Sequence, residues 1–131
     1  MPLIPFESIP VIETNCIILR SFKIEDAEEY YNYTNNPEII KHYDWKPNTL
    51  AEAEDDIRKL MTNFREINCV RWAMTLKDSD LIIGDCGLIF GDGKAEISYL
   101  LAKRFWGQGL MREAIKALIS LTFEYPSIIR I

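Results

Sequence analysis

The chain has 131 residues and a mass of 15.3 kDa, the size of one domain able to bury roughly two-thirds of its unfolded surface. Hydrophobic residues at 48% and charged residues at 27%, with only 6 Gly and 6 Pro, exclude intrinsic disorder, a fibrous repeat and low complexity. With 15 basic and 20 acidic residues the net charge is −5, so there is no basic stripe for direct nucleic-acid binding, and the acidic balance fits a cationic partner.

Residues 1–13 carry Pro2, Pro5 and Pro10 without a steady period and read as an irregular lead-in. They lack the basic region and unbroken apolar stretch of a signal peptide. No segment approaches the ~20 apolar residues of a membrane helix, so a soluble cytoplasmic chain is expected. Cys16, Cys69 and Cys86 are odd in number, far apart and without a CxxC pair; buried free thiols are expected.

Thr14–Ser21 is rich in β-branched and apolar residues and predicts a first strand. Glu25–Thr34 follows with Ala27, Tyr30 and Tyr31 at helical spacing. Asn35-Asn36-Pro37 interrupts it, before a short turn of helix through Ile39 and Ile40. The clearest helix spans Leu50–Arg65. Thr49 with Glu52 makes a capping box, and Leu50, Ala53, Ile57, Leu60, Met61 and Phe64 form one apolar stripe. Cys69–Leu76 alternates as a half-buried strand. Leu81–Phe90 is a second strand in which Gly84 and Gly87 mark a bulge or a close backbone approach. Ala95–Leu101 is a third, and short polar turns join the three into an antiparallel meander. Leu110–Glu124 is a helix with Met111, Ala114, Ile115, Leu118 and Leu121 on one face; Pro126 stops it and Ser127–Ile131 opens a last strand. The class is α+β: a mostly antiparallel central sheet flanked by helices, with one parallel strand–helix–strand unit at the end. No repeat or linker divides residues 1–131, which read as a single domain.

The informative segment is Arg104-Phe105-Trp106-Gly107-Gln108-Gly109, between a strand and a helix start. Glycine there allows positive φ and close ligand approach, and the N–H groups of a first helical turn form an anion site suited to a pyrophosphate. The dinucleotide fingerprint fails because position 112 is Arg112 and no acid stands ~20 residues on. A phosphate-binding Walker loop fails at Gly93-Lys94-Ala95.

R-x-x-G-x-G after an apolar strand resembles the acyl-coenzyme A loop of the GNAT N-acetyltransferase superfamily. Ala95–Ala102 with Phe105–Gly109 is similar to its ribosomal-protein and antibiotic acetyltransferase branch. Leu19–Phe22 with Glu25–Ala27, Tyr43–Pro47, and Ile83–Gly87 also fit that branch. The resemblance runs from about residue 14 to the last. It implies an α/β sandwich of acyl-CoA N-acyltransferase type and transfer of an acetyl group from acetyl-CoA to a primary amine. In it Leu100, Leu101 and Ala102 meet the pantetheine arm, and Arg104, Gly107, Gln108, Gly109, Leu110 and Met111 surround the pyrophosphate. The plain alternative is that the two glycines make only a tight strand-to-helix turn.

Acetyl transfer needs a neutral amine and hence a base. Glu96, on the strand face shared by Ser98 and Leu100, is the candidate; its plain alternative is a strand carboxylate paired to a neighbouring Lys or Arg. Asp85 is the second choice, and otherwise a hydrogen-bonder at a turn or bulge. Tyr43 and Trp45 are placed in the acceptor cleft, with contact against the capped helix as the alternative. Trp106 reads as a packing residue and not a catalytic one, and Arg20 and Arg71 as salt-bridge partners. His42, the only histidine, has no Cys or His cluster with which to hold a metal. The expected acceptor is an amine-bearing small molecule or a protein N-terminus.

The family pattern adds a further helix and strands beyond Ser127, with an asparagine on the cofactor arm and a hydroxyl or thiol that protonates the leaving thiolate. The sequence stops before them, so a C-terminally incomplete domain is expected, with an apolar edge at Ile128–Ile131 that recruits a second copy as a homodimer. The alternative function is a catalytically impaired acyl-CoA-binding or interaction domain.

Overall fold

The computed structural model describes residues 8–40, 46–62, 64, 68–91 and 94–124. Five strands form one antiparallel sheet in chain order: β1 (Ile12–Glu13), β2 (Ile17–Arg20), β3 (Cys69–Leu76), β4 (Ile82–Gly91) and β5 (Lys94–Leu101). The helices are α1 (Ala27–Thr34), α2 (Pro37–Ile40), α3 (Leu50–Thr62) and α4 (Leu110–Phe123), with 3-10 turns at Ile24–Asp26 and Lys103–Phe105. The expected meander is β3–β4–β5. The parallel unit and the recruiting edge both depend on residues 127–131, which lie outside the described residues, as do His42, Tyr43 and Trp45.

The first strand is shorter than its β-branched run, because Thr14 turns the chain. Its N–H donates to the Ile17 carbonyl at 3.0 Å, closing a hairpin in which Ile12 faces Leu19. Among the described residues of the lead-in, Ile12–Glu13 pairs as a strand, and the Trp72 indole N–H donates to the Pro10 carbonyl at 2.8 Å. Arg20 grips Asp26 with both terminal nitrogens, at 2.8 and 2.9 Å, fixing the turn into α1.

The β3 pattern departs from a half-buried strand: Val70, Trp72 and Met74 are buried, and so are Ala73 and Thr75, which alternate with them. Helices cover both faces. On one face Ile17, Leu19, Trp72, Cys86 and Leu88 meet Leu110, Ala114, Leu118 and Leu121 of α4. On the other, Ala73, Ile82 and Leu100 meet Ala27, Tyr30 and Tyr33 of α1 and Ala53, Ile57 and Leu60 of α3. The α4 stripe therefore begins at Leu110 and leaves Ile115 half-buried. Leu50 is 45% exposed, and Phe64, beyond the end of α3, joins the α4 layer instead of the α3 stripe. Both readings of the β4 glycines hold. The register slips between Met74 and Thr75, placing a bulge beside Gly84, and Gly84 and Gly87 lie hard against neighbouring backbone. Of the cysteines only Cys86 is buried. Cys69 is half-buried and Cys16 is exposed, because it sits in the hairpin turn and not in a strand.

Candidate functional site

Strand β5 is one of the two edge strands among the described residues, and it leads through the 3-10 turn into two glycines with positive φ, Gly107 at 80° and Gly109 at 77°. Nothing lies within 4 Å of a Cβ built on either, so the backbone conformation, and not crowding, is what calls for glycine here. Gly109 caps α4, with its carbonyl accepting from the Glu113 N–H at 3.1 Å. Three contacts brace the turn. The Trp106 indole N–H donates to the Leu101 carbonyl at 2.8 Å, the Arg104 guanidinium lies 4.9 Å over the Phe105 ring, and Lys103 pairs with Glu38 of α2 at 2.5 Å. Trp106 is 45% exposed, so it pins the loop from outside the core.

A cleft of about 820 Å³ runs along β5 to the start of α4, a volume within the ~300–1,000 Å³ of small-molecule sites. It brings together Glu96, Leu100, Leu101, Gly107, Gly109, Leu110 and Met111 from the sequence reading. Ala102, Arg104 and Gln108 stand outside its lining. The Ala102 N–H donates to the Ile83 carbonyl at 2.8 Å and its carbonyl accepts from Phe105 at 3.0 Å, while Gln108 Nε2 reaches the Arg104 carbonyl at 3.4 Å. Ser98, Tyr99, Phe105, Arg112 and Glu38 also line the cleft, and of these Glu38 had no signal in the sequence because it reaches the cleft only through tertiary folding. Glu96 is exposed in the cleft and has no ion pair among the described residues.

Beneath the cleft, Asp85 is fully buried, and it carries the charge of a buried pair rather than serving a turn. Arg71 Nε donates to Asp85 Oδ1 at 2.9 Å, Arg71 Nη2 donates to the same oxygen, and the Tyr33 hydroxyl donates to Oδ2. Burial opposes the charge on Arg71, but the adjacent carboxylate holds the guanidinium protonated, above its ordinary range. Burial, and then Asp85, pushes the Tyr33 phenol well up, so it stays a neutral donor. Burial also pushes the Cys86 thiol up to about 12, which leaves it unreactive at neutral pH. Among the described residues no group of three or more His, Cys, Asp and Glu gathers as a metal site, and no helix is long and apolar enough to cross a membrane.

An antiparallel sheet covered on both faces, with the edge strand β5 feeding a glycine turn and a helix start, defines the α+β acyl-CoA N-acyltransferase fold. Solved structures share it. The acetyltransferase from Agrobacterium tumefaciens str. C58 superposes with a TM-score of 0.72 at 22% identity, covering 95% of this chain and 72% of that one. The microcin C7 self immunity acetyltransferase MccE, in complex with acetyl-CoA and AMP, gives 0.70 at 22% identity, covering 88% and 67%. An uncharacterized N-acetyltransferase, p20 of Bacillus licheniformis, is 33% identical over 122 residues, which are 90% of this chain and 68% of that protein. The family model for the acetyltransferase (GNAT) domain matches residues 17–131. The chain belongs to the acetyltransferase (GNAT) family and is by family an N-acetyltransferase enzyme.

Proposed function

We propose that the chain, acting as one domain, moves an acetyl group from acetyl-CoA directly to a primary amine on a small molecule or a protein N-terminus. The observation that carries this is the continuity of the cleft: it has a carboxylate, Glu96, along β5 and a positive-φ glycine turn opening α4 at its end. The solved MccE structure of this fold holds acetyl-CoA. The open space over Gly107 and Gly109 suits a bulky anion, and Leu110, Met111 and Arg112 supply first-turn N–H groups and one cation for the pyrophosphate. The outer edge of β5 presents backbone groups for the amides of the pantetheine arm.

In this reading the neutral amine attacks the thioester carbon, the C–S bond breaks, and the product is an amide plus coenzyme A. Glu96 takes the amine's proton, directly or through water, and the departing thiolate is protonated from solvent. Calorimetric titration with acetyl-CoA comes first: saturable binding is expected, weakened by Gly109→Glu, which adds bulk and negative charge at the helix start. Thiol release with a panel of amines then follows. Glu96→Gln should abolish turnover while leaving acetyl-CoA affinity intact. No binding at millimolar acetyl-CoA would refute the cofactor reading, and unchanged turnover in the Gln variant would reject Glu96 as base.

A further inference from the structure

Arg71, Gly87 and Ser98 stand in one row across three strands, Arg71 opposite Gly87 and Gly87 opposite Ser98. Directly opposed residues share a sheet face, and neighbouring strands are ~4.8 Å apart. An arginine on β3 must therefore cross all of β4 to touch a residue on β5. Gly87 opens that path. A Cβ at position 87 would stand 3.0 Å from Arg71 Cγ and would overlap the Val70 carbonyl oxygen, so any side chain there would take the space in which Arg71 lies. With the path open, Arg71 Nη1 donates to Ser98 Oγ at 2.6 Å, while the rest of the guanidinium is held by Asp85.

That bond sets what the Ser98 hydroxyl can do. A hydroxyl has one hydrogen and two lone pairs. With a cationic donor on one lone pair, the hydrogen turns away from Arg71, and Ser98 becomes a poor proton acceptor and a poor nucleophile. Its O–H is correspondingly polarised and strengthened as a donor. Ser98 lines the same cleft as Glu96, two residues along the same face and so ~7 Å away. The Arg71–Asp85 pair is fixed before any substrate arrives, with 14% of the Arg71 side chain and none of the Asp85 side chain exposed.

The geometry points to Ser98 as the hydrogen-bond donor to the acyl-thioester oxygen, aimed and polarised by the buried Arg71–Asp85–Tyr33 set. This rests on the acetyl-transfer reading above. As the amine nitrogen bonds to the carbonyl carbon, the C=O π pair moves onto oxygen, and Ser98 O–H stabilises that charge without giving up its proton. The pair then returns to re-form C=O as the C–S bond breaks, and the amine's proton leaves to Glu96. A donor set in advance where charge develops is the arrangement that lowers such a barrier. Ser98 would be the catalytic residue, and Arg71 and Asp85 positioning residues.

The test uses the full chain and acetyl-CoA labelled with ¹³C at the acetyl carbonyl. Ser98→Ala should lower kcat by about 100- to 1,000-fold while acetyl-CoA affinity changes far less, and Ser98→Thr, which keeps the hydroxyl, should recover most of it. The infrared carbonyl band of bound acetyl-CoA should move to higher wavenumber in Ser98→Ala, because the oxygen has lost a donor. Arg71→Lys keeps the charge but loses the fork; it should shift the band in the same direction, in protein confirmed as folded by its thermal melt. Unchanged kcat and an unmoved band in Ser98→Ala would overturn the proposal and leave the acetyl-transfer reading standing. If the chain binds acetyl-CoA but acetylates none of the amines, the carbonyl band alone decides. If it does not bind acetyl-CoA, the acetyl-transfer reading falls and this proposal with it.

Discussion

Asp56 and Glu113 are two carboxylates of this chain that its fold treats in opposite ways. Burial pushes Asp56 up from the usual 3.8 to about 6, and the Tyr30 hydroxyl that donates to it at 3.3 Å only partly offsets this, as does Lys59. Asp55 and Glu52 on the same helix raise it further. Glu113 is held below its ordinary range by the Thr14 hydroxyl and the Cys16 N–H, which donates at 2.8 Å. A raised carboxyl pKa means the folded state binds the proton more tightly than the unfolded state, so the stability it contributes is whole below pH ~4 and lost as pH rises to about 6. Asp56→Asn keeps an acceptor for Tyr30 and removes the titration. Thermal melts from pH 4 to 7 should show its Tm gaining on wild type as pH rises; a constant gap would count against the assignment. Glu113 has the opposite sign, with its contribution present above the ordinary glutamate range and lost on acidification.

The elements whose ends were legible in the sequence are those with local chemistry at the boundary. Helix α3 starts where Thr49 and Glu52 said it would, with the Glu52 N–H donating to Thr49 Oγ1 at 3.1 Å. The return bond reaches one residue further than the capping box requires, Glu52 Oε1 accepting from the Asn48 N–H at 3.1 Å. Thr49→Ala should cost about 1 kcal/mol, read as a lower urea midpoint at unchanged m-value, while Thr49→Ser should cost much less. Equal stability of the Ala variant would show that the exposed helix end is satisfied by water. The α4 start was legible for a similar reason, since two glycines before an apolar run ask for positive φ, and both have it. The far end of the α3 stripe was not. Phe64 continues the helical spacing, but the helix stops at Thr62 and the ring turns into the other layer.

For the whole molecule, one sheet serves two apolar layers. Trp72 of β3 packs toward α4 and its neighbour Ala73 toward α1 and α3, so neither layer can separate without dismantling the strand. Ile57→Val removes one buried methylene on the α3 side, expected to cost about 0.5–1.5 kcal/mol. The loss should appear equally in tryptophan fluorescence, which includes Trp72 on the far face, and in helical circular dichroism. Two midpoints that separate in the variant would mean the layers unfold independently, against one cooperative transition.

Sequence periodicity, caps and turn residues determined the order of the elements and the glycine loop, because those signals act over a few neighbouring residues. Gly107 and Gly109 were placed by such local patterns, Glu96 by its strand face beside the segment that the family resemblance gives to the cofactor arm, and the structure gathers the three along one cleft. Only the tertiary structure decided which residues meet across the sheet. In the sequence Arg71 read as a salt-bridge partner without a named acid, Asp85 as a second-choice base or a hydrogen-bonder at a turn or bulge, Ser98 only as a neighbour of Glu96 on its strand face, and Gly87 as a mark of a bulge or close approach. Register aligned them, and the empty side-chain position at Gly87 let Arg71 reach Ser98. Register is chosen by the sum of contacts between residues distant along the chain, and no local preference contains that sum.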